Sequence, residues 1–181
     1  LFDTAETGFS YAQLFTENRY IGGDRVSDAN QVTAALVSRY IESDGAERLR
    51  MAIAQRFYFS EPRVGRAPGT GNGRSDLLLA ASGRIIDNWN FDSSVQYDAT
   101  GKSVYAQNHG VRWIPGPLKV LNAEYRYVRD SFRNADVSAQ WPLSARWFGV
   151  GRVSYSLRDH KVLESLVGLE YKADCWIFRM G

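Results

Sequence analysis

Apolar and polar side chains alternate along most of this chain with a period of two. Between residues 88 and 99, Trp89, Phe91, Val95 and Tyr97 fall on one parity, and Asn90, Asp92, Ser94, Gln96 and Asp98 on the other. Successive side chains of a strand point to opposite faces, so this pattern predicts a strand with one apolar and one polar face. Further along, Leu49, Met51, Ile53, Phe57 and Phe59 oppose Arg48, Arg50, Ala52, Ala54, Arg56 and Tyr58. Leu77, Leu79, Ala81 and Ile85 oppose Asp76, Ala80, Ser82 and Arg84. Leu121, Ala123, Tyr125 and Tyr127 oppose Asn122, Glu124 and Arg126, and Trp147, Val153, Tyr155 and Leu157 oppose Arg146, Arg152, Ser154 and Ser156. From Gln31 a further run places Val32, Ala34, Leu36 and Tyr40 together. About ten such segments of about ten residues are expected, the length that crosses a bilayer at a tilt, whereas globular strands average nearer five or six.

The connections are short and carry Gly, Pro, Asn and Asp where turns need them: ESDGAE, DN, ATGK, IPGP, RDSFRN and LRDHK. Consecutive antiparallel hairpins follow, an all-β up-and-down meander forming one domain over residues 1–181. No segment of useful length has the 3.6-residue period of a helix. Residues 1–30 are polar and charged and precede the strands as a long loop.

Which side meets water decides the class. A soluble sandwich or barrel buries its apolar face; a transmembrane barrel turns that face to lipid and keeps the polar one inside. Two features favour the second: strand number and length, and the aromatics Trp89, Tyr97, Trp113, Tyr127 and Trp147 toward strand ends, where an interfacial girdle belongs. A soluble β-sheet binding module stays open at this point. Mean hydropathy is −0.35 and 44% of the 181 residues are hydrophobic, which fits either, because alternating faces average out. No run of about 18 apolar residues occurs, so no helix crosses a membrane. The net charge of +2 gives no strong pull toward nucleic acid. No signal peptide is visible in LFDTAETGFS.

The stretch NRYIGGDRVSDANQVT resembles the segment N-R-[FY]-x-G-x-D-R-[IV]-x-D-A-N-Q of the LptD family, with Asn18, Arg19, Tyr20, Gly22, Asp24, Arg25, Val26, Asp28, Ala29, Asn30 and Gln31 in matching places. The likeness continues through SRYIESDGAERLRMAIAQRFYFSEPRVG and returns in LVGLEYKADCWIFR. Residues 74–160 match in rhythm more than in letters. The resemblance implies a Gram-negative outer-membrane barrel of roughly two dozen strands that inserts lipopolysaccharide into the outer leaflet. It also implies an LptE-like lipoprotein plug and a periplasmic Lpt bridge that delivers the lipid to an N-terminal domain. This chain is then a C-terminal part of that barrel, lacking the jelly-roll and the strands beside the lateral opening. Its edges, near residues 31–41 and 175–181, are expected to stay open rather than close on each other.

On that reading residues 1–30 form an extracellular loop in which Asn18, Arg19, Gly22, Asp24, Arg25, Asp28 and Asn30 carry the motif. Asp24, Arg25, Asp28 and Asn30 then pin the loop to the wall or cap the pore, or are ordered only by their own Asx-turns and ion pairs. Alternation puts ESDGAE, DN, IPGP and KADC at the periplasmic end, and EPRVGRAPGTGNG, RDSFRN and LRDHK at the extracellular end. The family usually has two adjacent cysteines near the C-terminus, each bonded to a distant one. Here Asp174 takes one place, so the resemblance leaves Cys175, the chain's one cysteine, with a single disulfide partner outside this chain.

Seven arginines sit on polar parities: Arg48, Arg50, Arg56, Arg84, Arg126, Arg146 and Arg152. Facing a lumen, they either contact lipid phosphates or, as we favour, pair with carboxylates such as Asp76, Asp92, Asp98 and Glu124 on neighbouring strands. His109 and His160 lack companions at metal-ligand spacing. GRAPGTGNG lacks the Lys-Ser/Thr of a phosphate loop, so no metal or cofactor is expected. An outer-membrane enzyme needs a clustered nucleophile, base and acid, and none is legible. A general porin remains the main alternative.

Overall fold

A computed structural model describes residues 30–59, 76–98, 101–173 and 175–181. The loop-motif residues Asn18, Arg19, Gly22, Asp24, Arg25 and Asp28, and the EPRVGRAPGTGNG connection, lie outside them. The described chain is ten strands: β1 Gln31–Ile41, β2 Glu47–Tyr58, β3 Leu77–Ile86, β4 Trp89–Asp98, β5 Ser103–Gly116, β6 Lys119–Val128, β7 Phe132–Pro142, β8 Trp147–Ser156, β9 Lys161–Lys172 and β10 Ile177–Met180. They follow one another in a single sheet in sequence order, with β1 and β10 at its two ends and no ladder between those two among the described residues. The expected all-β meander with open edges is therefore what the chain forms.

Strands run further into the connections than composition predicts. IPGP was expected to be a turn, yet β5 continues to Gly116 and only Pro117 and Leu118 turn. RDSFRN likewise gives up Phe132, Arg133 and Asn134 to β7. Six of the reversals are tight through one residue in a left-handed conformation: Asn88, Lys102, Leu118, Asp130 and His160 have positive φ, as does Gly45. Such a residue supplies the twist that a short hairpin needs.

The chain divides into two compact units. The first holds β1, β2 and residues 77–81, 94–98 and 103–106; the second holds residues 82–93, 107–116 and β6 to β10. In the first unit β1 and β2 pair antiparallel, with Leu36 opposite Ile53 and Thr33 opposite Arg56. In the second, Glu124 pairs with Asp136, Asp136 with Ser154 and Ser154 with Glu164 across β6, β7, β8 and β9. The adjoining row is Ala123, Val137, Val153 and Ser165.

Burial is inverted relative to a water-soluble fold. Val137 and Val153 are 48% and 44% exposed, while their neighbours Asp136 and Ser154 are 8% and 6% exposed. In the first unit Leu36, Met51, Ile53 and Leu79 are exposed, while Arg56, Asp76 and Gln96 are buried. Polar groups leave water only where hydrogen bonds replace it, and Gln96 accordingly donates from Nε2 to Asp76 Oδ2 at 2.8 Å. Some apolar side chains fall on the polar parity, and two large ones among them are covered. Leu78 and Phe148 sit on the polar faces and are nearly fully buried. Phe148 lies beneath the Lys172 ammonium, 4.8 Å from its ring centre, so its site is the flank of a cation rather than an apolar core.

Candidate functional site

The polar face of the second unit carries a ladder of charges built by register. Asp136 stands at its centre. Arg126 Nη2 donates to Asp136 Oδ2 at 2.8 Å, and Arg152 Nη2 approaches Oδ1 at 3.6 Å. Arg126 also lies 3.8 Å from Glu124, and Arg152 lies 4.0 Å from Glu164. Next to this ladder Arg112 donates to Asn122 Oδ1 at 2.8 Å, and Asn122 Nδ2 donates to Ser138 Oγ at 3.1 Å. Cations and anions thus alternate across four strands on one face. Toward β10, Glu170 accepts from Arg179 Nε at 2.6 Å and meets Lys172 Nζ at 3.1 Å, which ties the last strand to β9.

Two of the seven predicted arginines, Arg126 and Arg152, are brought together, and a carboxylate holds both. Arg48 and Arg50 lie near the β1–β2 turn, with Glu42 at 2.7 Å and Glu47 at 2.8 Å respectively. Arg56 is buried and donates to Thr33 Oγ1 at 3.4 Å. Arg84 is on β3, half-buried. Arg146 lies in the β7–β8 turn rather than on β8, and its carbonyl accepts from the Lys172 N–H at 2.9 Å. Of the expected acidic partners Glu124 takes part, but the hub is Asp136, which the parity reading did not single out. FRNADVSAQW does place it on the polar parity opposite Val137; its partners depend on register, which parity does not give. Asn30 is exposed, and its carbonyl accepts from Phe59 N–H at 2.9 Å. Cys175 is exposed in the β9–β10 turn.

The apolar face has its own order. Trp89 stacks on Trp113 at 5.5 Å and Trp113 meets Trp141 at 6.1 Å. Trp147, Tyr171 and Trp176 form a second row at 5.0 and 5.3 Å. All five tryptophans of the chain therefore lie at one end of the second unit, beside the turns after β3, β5, β7 and β9. Midway along the same face, Ser93 Oγ and His109 Nδ1 share a hydrogen bond of 2.8 Å, and the His109 ring lies over Tyr125. Among the described residues no carboxylate completes a triad with that pair.

An inverted sheet with a charged ladder on one face and a tryptophan row on the other is barrel-wall architecture. The model of the family described as LPS transport system D, LptD, matches residues 1–147. The chain belongs to the LptD family. It is 46% identical over 183 residues to the LPS-assembly protein LptD of Thiobacillus denitrificans, an alignment covering 99% of this chain and 25% of that protein. To the LPS-assembly protein LptD of Aromatoleum aromaticum it is 46% identical over 182 residues, covering 99% of this chain and 23% of that protein. To that of Nitrosospira multiformis it is 44% identical over 180 residues, covering 98% and 19%. The chain thus spans about a quarter of the length of the first relatives it matches. Family membership extends well past the N-terminal motif, through the middle strands where only rhythm was legible.

Proposed function

We propose that this chain is a stretch of outer-membrane barrel wall in a protein that assembles lipopolysaccharide at the surface of a Gram-negative bacterium. The inverted faces carry this reading. A sheet that exposes Leu36, Val137, Val153 and Val167 while burying Asp76, Asp136 and Glu170 is stable in lipid with a wet interior. In that setting the apolar face meets acyl chains. Arg126, Arg152, Arg56 and the other polar-parity arginines face the lumen. Their carboxylate partners favour a bracing role over binding of a free phosphate, since an Arg already engaged by Asp136 offers less to a ligand. An LptE-like plug and a periplasmic bridge are the partners this role requires, with the motif loop before β1 on the extracellular side.

The experiment uses the full-length protein. On its depletion, newly made lipopolysaccharide should stop reaching the cell surface. Normal delivery accompanied by reduced uptake of small solutes would instead favour a porin.

Cys175 belongs to the same reading. It is exposed at a turn that this reading puts at the oxidising periplasmic end, and there it should carry the disulfide to a distant part of the full-length chain that the family likeness implies. On a non-reducing gel the full-length protein should migrate differently from the reduced form, and Cys175→Ser should remove part of that shift. Complete labelling of Cys175 by a thiol reagent in native membranes without reductant would refute the bond.

A further inference from the structure

The tryptophan end of the second unit has a feature that holding a bilayer edge does not require. Beside the Trp89, Trp113 and Trp141 row, the Lys119 ammonium lies 5.2 Å from the centre of the Trp141 ring. Register sets this contact. Val120 pairs with Gln140, so Lys119 and Trp141 stand one step further toward the turn. Gln140 Nε2 reaches the Leu118 carbonyl at 3.5 Å, across the same turn. Leu118 and Leu143, both exposed, continue the apolar surface on either side. The result is a shelf of three indoles with a cation at its edge.

From this we propose that the Trp89–Trp113–Trp141 shelf with Lys119 seats the head group of an anionic glycerophospholipid. The inference rests on the proposed membrane reading, which puts these short turns at the periplasmic leaflet. Three chemical features fit such a ligand. Side by side, the indoles with the exposed Leu118 and Leu143 form an apolar surface suited to the glycerol and first acyl methylenes. Each indole edge brings an N–H donor for ester or phosphate oxygens. The ammonium, held over a ring, supplies one full positive charge for a phosphodiester anion. A zwitterionic head group would set its own cation against Lys119, so the shelf should discriminate by charge. Lys172, on β9 beside the second aromatic row, has its ammonium on the other face, over Phe148 and against Glu170.

The test uses the full-length barrel reconstituted with equal parts phosphatidylglycerol and phosphatidylcholine, extracted gently and weighed with its retained lipids by native mass spectrometry. The wild type should retain phosphatidylglycerol several-fold over phosphatidylcholine. Lys119→Gln should bring the ratio close to one, whereas Lys172→Gln, the same charge change on the opposite face, should leave most of it. Equal retention by the wild type, or an unchanged preference in Lys119→Gln, overturns the proposal. Flotation with the vesicles separates this failure from a deeper one: a chain that does not float at all sinks the membrane reading too, while one that floats without preference removes the lipid site alone.

Discussion

Val137→Arg in the full-length protein should lower barrel stability by about 2–4 kcal/mol, the cost of a cation on the lipid face near the midplane of a transmembrane barrel. Val137 lies mid-strand in β7, opposite Ala123 on β6 and Val153 on β8, and nearly half of it is uncovered by its own chain. In a soluble fold an arginine at so exposed a site is nearly neutral, because most surface substitutions stay within about 0.5 kcal/mol. Lipid reverses that expectation: the guanidinium must drag water inward or snorkel along the wall. The neighbouring Ser138→Ala removes only the hydrogen bond from Asn122 and should cost about 0.5–1.5 kcal/mol. Denaturant titration in lipid vesicles measures both. Equal, small effects would mean that position 137 faces water.

The second large effect should come from Asp136→Ala, at about 1–2 kcal/mol. A charged hydrogen bond is worth about 1.5–3 kcal/mol, and the value here is reduced because Arg126 and Arg152 remain partly solvated. The carboxylate is shared by Arg126 at 2.8 Å and Arg152 at 3.6 Å, so its loss leaves two guanidiniums facing each other across β7 without an anion between them. Asp136→Asn keeps the shape and some of the hydrogen bonding, and should cost less. A double-mutant cycle of Asp136→Asn with Arg126→Gln isolates the pair. A coupling energy near zero would show that the ladder braces nothing.

The two faces were legible in the sequence because a strand's side chains have a period of two, and a face needs no other information. That reading sorted Met51 from Arg56, Trp89 from Gln96, and Val153 from Ser154 correctly. It could not give the partner of each charge. Arg126 meets Asp136 only because Glu124 pairs with Asp136 in the β6–β7 ladder, and one step of slip would put every partner on the opposite face. Turn geometry sets that register, through left-handed Asp130 in the β6–β7 turn, a residue whose conformation parity does not give. Phe148 was illegible for a different reason. An aromatic residue on a polar parity reads as an error until Lys172, on the next strand, is known to lie above it. Trp89, Trp113 and Trp147 were legible individually as strand-end residues; Trp141 and Trp176 were not singled out, and the gathering of all five at one end of the second unit required the order of the hairpins.

An accessibility scan along β7 shows whether its two faces divide lipid from water. A spin label is introduced at each of residues 134–141 in turn, through an unnatural amino acid, in the full-length protein in lipid bilayers. Collision rates are then measured with oxygen, which concentrates in lipid, and with a water-soluble nickel chelate. Strict alternation is expected: positions 135, 137, 139 and 141 favour oxygen, and positions 134, 136, 138 and 140 favour the chelate. Chelate access at position 137 equal to that at 136 and 138 would contradict it.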